Sequence, residues 1–210
     1  MRKPPPEEIL NFEGPPGESV FRRAMVWCMN GPPEAELQAR IDKTMDQVKA
    51  LNEDRLLVLV GALLVENAVD ELLAAIMPGY KSVRGNRDVT FAVRIELGRA
   101  LQLCPSRFFA NAHVVRGVRN DFAHDLSVDT FAKLRPGRVQ SMRDALSKFN
   151  VRDVAGKSDA DVFKTFVVLL VLALQVYGIH VSRLNEFIRS KELFPVLRPF
   201  CEARGGRTIV

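Results

Sequence analysis

A chain of 210 residues with 47% apolar and 26% charged side chains is globular in composition and long enough for one well-buried core. Its three cysteines, Cys28, Cys104 and Cys201, are odd in number and lie outside any CxxC or Cys/His spacing, which argues against a disulfide framework and a zinc site and fits the reducing cytosol. The net charge of +5 arises from 30 basic and 25 acidic residues; it permits contact with phosphate without requiring it.

The chain opens Met1-Arg2-Lys3-Pro4-Pro5-Pro6, without the apolar core of a secretory signal. Seven of the twelve prolines fall in the first 33 residues with Gly14, Gly17 and Gly31, so residues 1–33 read as an extended arm with at most a short helix around Val20 to Met29. Phe21 and Trp27 on that arm are expected to dock on the body or on a second subunit. Residues 34–193 form the expected helical domain, and 194–210 a tail.

Pro33, Glu34 and Glu36 mark a helix start, since proline suits the first turn and acids favour the positive end of the helix dipole. That helix is expected to run to about Leu51. Asn52 then caps a more apolar helix over Glu53 to Met77, closed by Pro78-Gly79. Lys81 to Arg87 reads as a basic loop and Asp88 to Leu103 as a third helix, stopped by Cys104-Pro105. Ser106 caps the next, whose apolar positions Phe108, Ala112, Val115, Val118 and Phe122 step by three and four. Leu134-Arg135-Pro136-Gly137 breaks the chain before a helix from Arg138 to about Phe149. Ser158 with Asp161 opens the last, expected to reach about Lys191.

Within that last helix, Phe163 to Val181 is the one stretch that suggests a membrane. A spanning helix needs about 20 predominantly apolar residues, and this one is interrupted by Gln175, Tyr177, Gly178 and His180, so a helix buried on all sides is expected, with His180 a core imidazole and His113 a surface one. No strand-like alternation or repeat is present. The fold class is all-α, an up-and-down bundle of six to seven helices.

The chemistry concentrates in Arg119-Asn120-Asp121-Phe122-Ala123-His124. Five helical steps are about 140° of rotation, so Arg119 and His124 do not share a face. They converge only if the arginine bends round, if the helix ends near Ala123, or if a second subunit completes the site. Asn120 and His124 are one i,i+4 step apart, and His113, Arg116 and Gly117 extend the same polar seam. A histidine in a last helical turn is also favourable against the dipole without any further role.

A second feature is the acidic patch Glu66, Asn67, Asp70 and Glu71 on an otherwise apolar helix. Buried carboxylates need cationic partners, and Arg116 and Arg119 are the expected ones, whether the network is structural or functional. Glu66, Asp70 and His124 resemble no ligand set, so neither metal nor cofactor is expected.

Arg119-Asn120-x-x-x-His124, an Arg, a polar residue, three variable positions and a His at a helix end, resembles the signature of the HEPN superfamily. Leu63-Leu64-Val65-Glu66-Asn67-Ala68-Val69-Asp70-Glu71-Leu72-Leu73, followed two helices later by the same motif, is similar to the mannitol-operon repressor (MtlR) family. The resemblance covers roughly Leu56 to Asp125 and the apolar final helix. It implies a helical bundle that pairs as a homodimer, binds RNA and cleaves it without metal: His124 moves a proton, Arg119 holds the phosphate and Asn120 orients it, with Arg116, Asp121, Glu66 and Asp70 in binding roles. Alternatively it implies a non-catalytic transcriptional regulator acting through a protein partner, or a toxin-antitoxin component held by one, in either case cytoplasmic.

Overall fold

In the computed structural model, residues 34–189 are described, except Pro78, Pro136, Asn150 and Arg152. The expectations for the proline-rich arm, for Cys28 and Cys201 and for the tail lie outside these residues. Seven α-helices and no strand are present among the described residues: α1 Glu34–Lys49, α2 Asp54–Ile76, α3 Tyr80–Arg84, α4 Phe91–Ala100, α5 Ser106–His124, α6 Arg138–Lys148 and α7 Asp159–Arg189, with a 3-10 turn at Phe131–Lys133. The all-α class read from the sequence is the class observed. The body is Pro32–Ile179; the last turns of α7, from His180, belong to a second unit.

The body is built round α2. Leu57, Val58, Gly61, Ala62, Val65, Ala68, Val69, Leu72 and Leu73 are buried along it, steps of one, three and four that cover well over a narrow stripe and let it meet several neighbours at once. It packs on α1, α3, α4 and α5, and α5 packs in turn on α4 and α6. Fully buried Phe163, Phe166, Val167, Leu170 and Leu174 carry α7 into the same core. α7 is the described helix long and apolar enough to cross a membrane, and half of that apolar window is buried inside the protein. The expected burial on all sides is therefore only partly met, and His180 is half-buried.

Ser158 opens α7 as expected: its hydroxyl accepts from the Asp161 amide at 3.2 Å, satisfying one orphan backbone donor, and donates to Asp161 Oδ2 at 2.7 Å. Four other expectations are corrected. The cap position of α2 is Glu53, not Asn52, and that of α5 is Pro105, not Ser106; neither supplies a side-chain cap. The third helix is shorter than Asp88 to Leu103, because Thr90 takes the cap and accepts from the Val93 amide. The basic loop Lys81 to Arg87 begins instead inside a one-turn helix, α3, which Tyr80 ties down by burying its ring and donating to Asp70.

Candidate functional site

The motif occupies the last turns of α5, and the way that end is fixed determines what it offers. Phe122 stacks edge-on against Phe131 at 5.6 Å, and Phe131 meets Phe163 of α7 at 5.4 Å. All three rings are buried. The start of α2 fastens the segment that follows: Arg55 donates to the carbonyls of Leu126 and Val128 at 3.3 and 3.0 Å, and Asp54 accepts from the Phe131 amide at 3.1 Å. Asp125, just past the helix, accepts from both the amide and the hydroxyl of Ser127. Those bonds hold its carboxyl below the usual carboxylate range, with Arg135 and Arg55 adding to the effect.

Asp121 is buried. Its two oxygens pair with Arg138 Nε at 3.0 Å and Arg135 Nε at 3.2 Å. The Arg138 guanidinium lies over Gly117, where a Cβ would come within 2.5 Å of Nη1; glycine at this helical position is what lets the cation lie flat against α5. These two arginines were not singled out in the sequence.

Glu66 and Asp70 are engaged within the chain, chiefly by arginines other than the expected ones. Arg94 donates to Glu66 at 2.8 Å and to Asp70 at 3.1 Å, and its remaining donors reach the carbonyls of Val89 and Arg84. Arg84 pairs with Asp70 at 2.7 Å and donates to Asn67 at 3.1 Å. Burial first, and then the hydrogen bond to Asp70, push the Tyr80 hydroxyl well above the ordinary tyrosine range. A buried carboxylate with three partners is a satisfied structural group. Arg119 joins this network at its edge, 4.0 Å from Glu66 and 36% exposed; Arg116 pairs with no described carboxylate. His113 is 2.7 Å from Glu96. Glu71 is exposed.

His124 is exposed and its ring makes no hydrogen bond among the described residues, while Asn120 is half-buried. Within one chain, therefore, Arg119 turns towards Glu66 of α2, His124 stands about 140° round the helix, and among the described residues no bond or common partner joins them. A cavity of about 420 Å³ lies between α1 and α7, lined by Lys49, Lys157, Lys164, Met45 and Val168 among others; no motif residue lines it. Among the described residues no three His, Cys, Asp or Glu side chains are grouped as a metal site. Cys104 is a buried free cysteine whose thiol burial pushes up to about 12, the direction opposite to nucleophilic activation.

No protein-family model matches this chain, and neither a curated protein nor a solved structure is similar enough to it to count as a match.

Proposed function

We propose that this chain is an HEPN-like cytoplasmic protein that binds RNA as a homodimer and cleaves it without a metal ion through Arg119, Asn120 and His124. The observation that carries the reading is the state of the two outer motif residues among the described residues: His124 is exposed with its ring in no hydrogen bond, and Arg119 is held by one contact of 4.0 Å. An accessible imidazole with open ring nitrogens can accept a proton and pass one on. A guanidinium with most of its donors unspent can take a phosphate oxygen in their place and stabilise the charge that grows on it. Asn120, one helical turn before His124, orients either group. The RNA 2′-hydroxyl supplies the nucleophile. Its oxygen bonds to the adjacent phosphorus as the bond to the next nucleotide's 5′-oxygen breaks, leaving a 2′,3′-cyclic phosphate and a 5′-hydroxyl that takes up the proton the 2′-hydroxyl gives up. Because the two residues face apart on α5, a second copy brings the Arg119 of one chain to the His124 of the other.

The test is incubation of purified protein with labelled single-stranded RNA in excess chelator, beside Arg119→Ala and His124→Ala. Cleavage by the wild type that both variants lose by about 100-fold or more supports the reading; equal cleavage by all three, or none, ends it.

The wide angle between Arg119 and His124 also favours a second reading, a non-catalytic regulator of the MtlR type that acts through a protein partner. Stable capture of one defined partner by both wild type and His124→Ala, with RNA untouched, selects it.

A further inference from the structure

Three positions on α5 lie close in angle. Gly117 and His124 are seven residues apart, about 20° on an ideal helix, and Asp121 is one short step from His124 at i,i+3. The arginines that dock on this face are Arg138, laid over Gly117, and Arg135, paired with Asp121. Arg119 is on another side, against Glu66. The cations that dock on the side of α5 bearing Gly117 and Asp121 are thus Arg138 and Arg135, not the arginine the motif contains.

We infer that Arg135 is the residue that holds an RNA phosphate beside His124 within a single chain. This rests on the RNA reading above and deepens it. Arg135 is 77% exposed and its closest approach to Asp121 is through Nε, so its terminal amino groups are available as a planar fork of donors, the geometry that suits two phosphate oxygens. Two guanidinium groups share the single Asp121 carboxylate. Asp125 also lies within electrostatic reach of Arg135 and of Arg55 and keeps its negative charge while it accepts from Ser127, so it is the exposed donors of Arg135, not a surplus of charge, that a phosphate would meet. Arg138, with Nε on Asp121 and its head packed over Gly117, is the anchor; Arg135 is the arm. Asp121, buried at the motif's centre, then has the task of placing that arm rather than touching RNA.

The experiment compares wild type, Arg135→Ala, Arg135→Lys and Arg119→Ala for binding of a labelled single-stranded RNA and for its cleavage in chelator. Arg135→Ala is expected to lose about 100-fold in cleavage and Arg135→Lys to recover only part, since a point charge replaces a fork. The melting temperature of Arg135→Ala should stay near wild type, because the side chain is mostly in water. Mixing Arg135→Ala with His124→Ala should restore nothing, because both groups act from one chain; restoration would overturn the inference. So would wild-type binding and cleavage by Arg135→Ala where Arg119→Ala and His124→Ala fail, and that result would leave the proposed function standing. A wild type that neither binds nor cuts RNA overturns both.

Discussion

The Tyr80 hydroxyl donates to Asp70 Oδ1 at 2.5 Å, and both side chains are buried. Burial and that bond keep Tyr80 protonated in the fold, whereas in the unfolded chain it ionises near 10.0. A group whose folded pKa is raised contributes stability in full below its unfolded value and loses it as pH climbs above it. Unfolding free energy should therefore fall above pH 10 by up to about 1.4 kcal/mol per pH unit on account of this one proton. Tyr80→Phe should remove that slope while costing about 1 kcal/mol at neutral pH for the lost bond. The buried Cys104 thiol, raised from 9.0 to about 12, adds a parallel decline in both proteins. Urea unfolding curves from pH 8 to 11 measure the difference; identical slopes in the two proteins would refute it.

Gly98 of α4 faces Phe109 of α5 so closely that a Cβ would lie 2.5 Å from the ring's Cε1. Phe109 is fully buried and cannot swing away. Alanine gains about 1 kcal/mol of helix propensity over glycine, while forcing a methyl into a packed core costs about 1–3 kcal/mol. Gly98→Ala should lower stability by about 1 kcal/mol net. Phe109→Leu removes the atoms in the way, so the double variant should show favourable coupling of about 1 kcal/mol in a mutant cycle. Gly85→Ala, with nothing within 4 Å of its Cβ, is the control expected to be nearly neutral. A Gly98→Ala protein as stable as wild type would mean that the two helices separate freely.

The helices were legible because their signals are local. The three-and-four spacing from Phe108 to Phe122, the break at Leu134 to Gly137 and the Ser158/Asp161 pair each act within a few residues. Lys81 to Arg87 misled because what makes α3 helical is Tyr80's bond to Asp70, ten positions back in sequence. The acidic patch on α2 was legible too, as i,i+4 pairs on one helix. Of its partners only Arg119, at the network's edge, was; the chief one, Arg94, is 28 residues from Glu66, and nothing local distinguishes it from Arg116. Arg135 and Arg138 were hidden in the same way, since each lies more than three helical turns along the sequence from Asp121 and no local pattern links them to it.

Asp121 carries two ion pairs from the buried side of α5, one to Arg135 before α6 and one to Arg138, the first residue of α6. Asp121→Asn keeps the shape and removes the charge, leaving two arginines facing a neutral amide. A loss of about 1–3 kcal/mol is expected, partly relieved because Arg138 is 32% exposed and can be hydrated. Arg135→Ala should cost under about 1 kcal/mol, as an exposed pair does. Thermal melts rank the two, and amide exchange should quicken over residues 125–137 in Asp121→Asn alone. Equal losses would show that Arg138 does not depend on the carboxylate.

The angle between Arg119 and His124 makes one further outcome quantitative. In a twofold dimer each cleft takes Arg119 from one chain and His124 from the other, so a mixed pair of Arg119→Ala and His124→Ala subunits holds one cleft with both groups intact and one with neither. Random mixing makes half the dimers mixed, which should restore about a quarter of wild-type cleavage from two inactive proteins. If the two residues instead served one cleft within a chain, every cleft in the mixture would lack one of them and nothing would return. Subunit exchange is checked first, by energy transfer between labelled copies, so that a silent mixture means an in-chain site and not unmixed dimers.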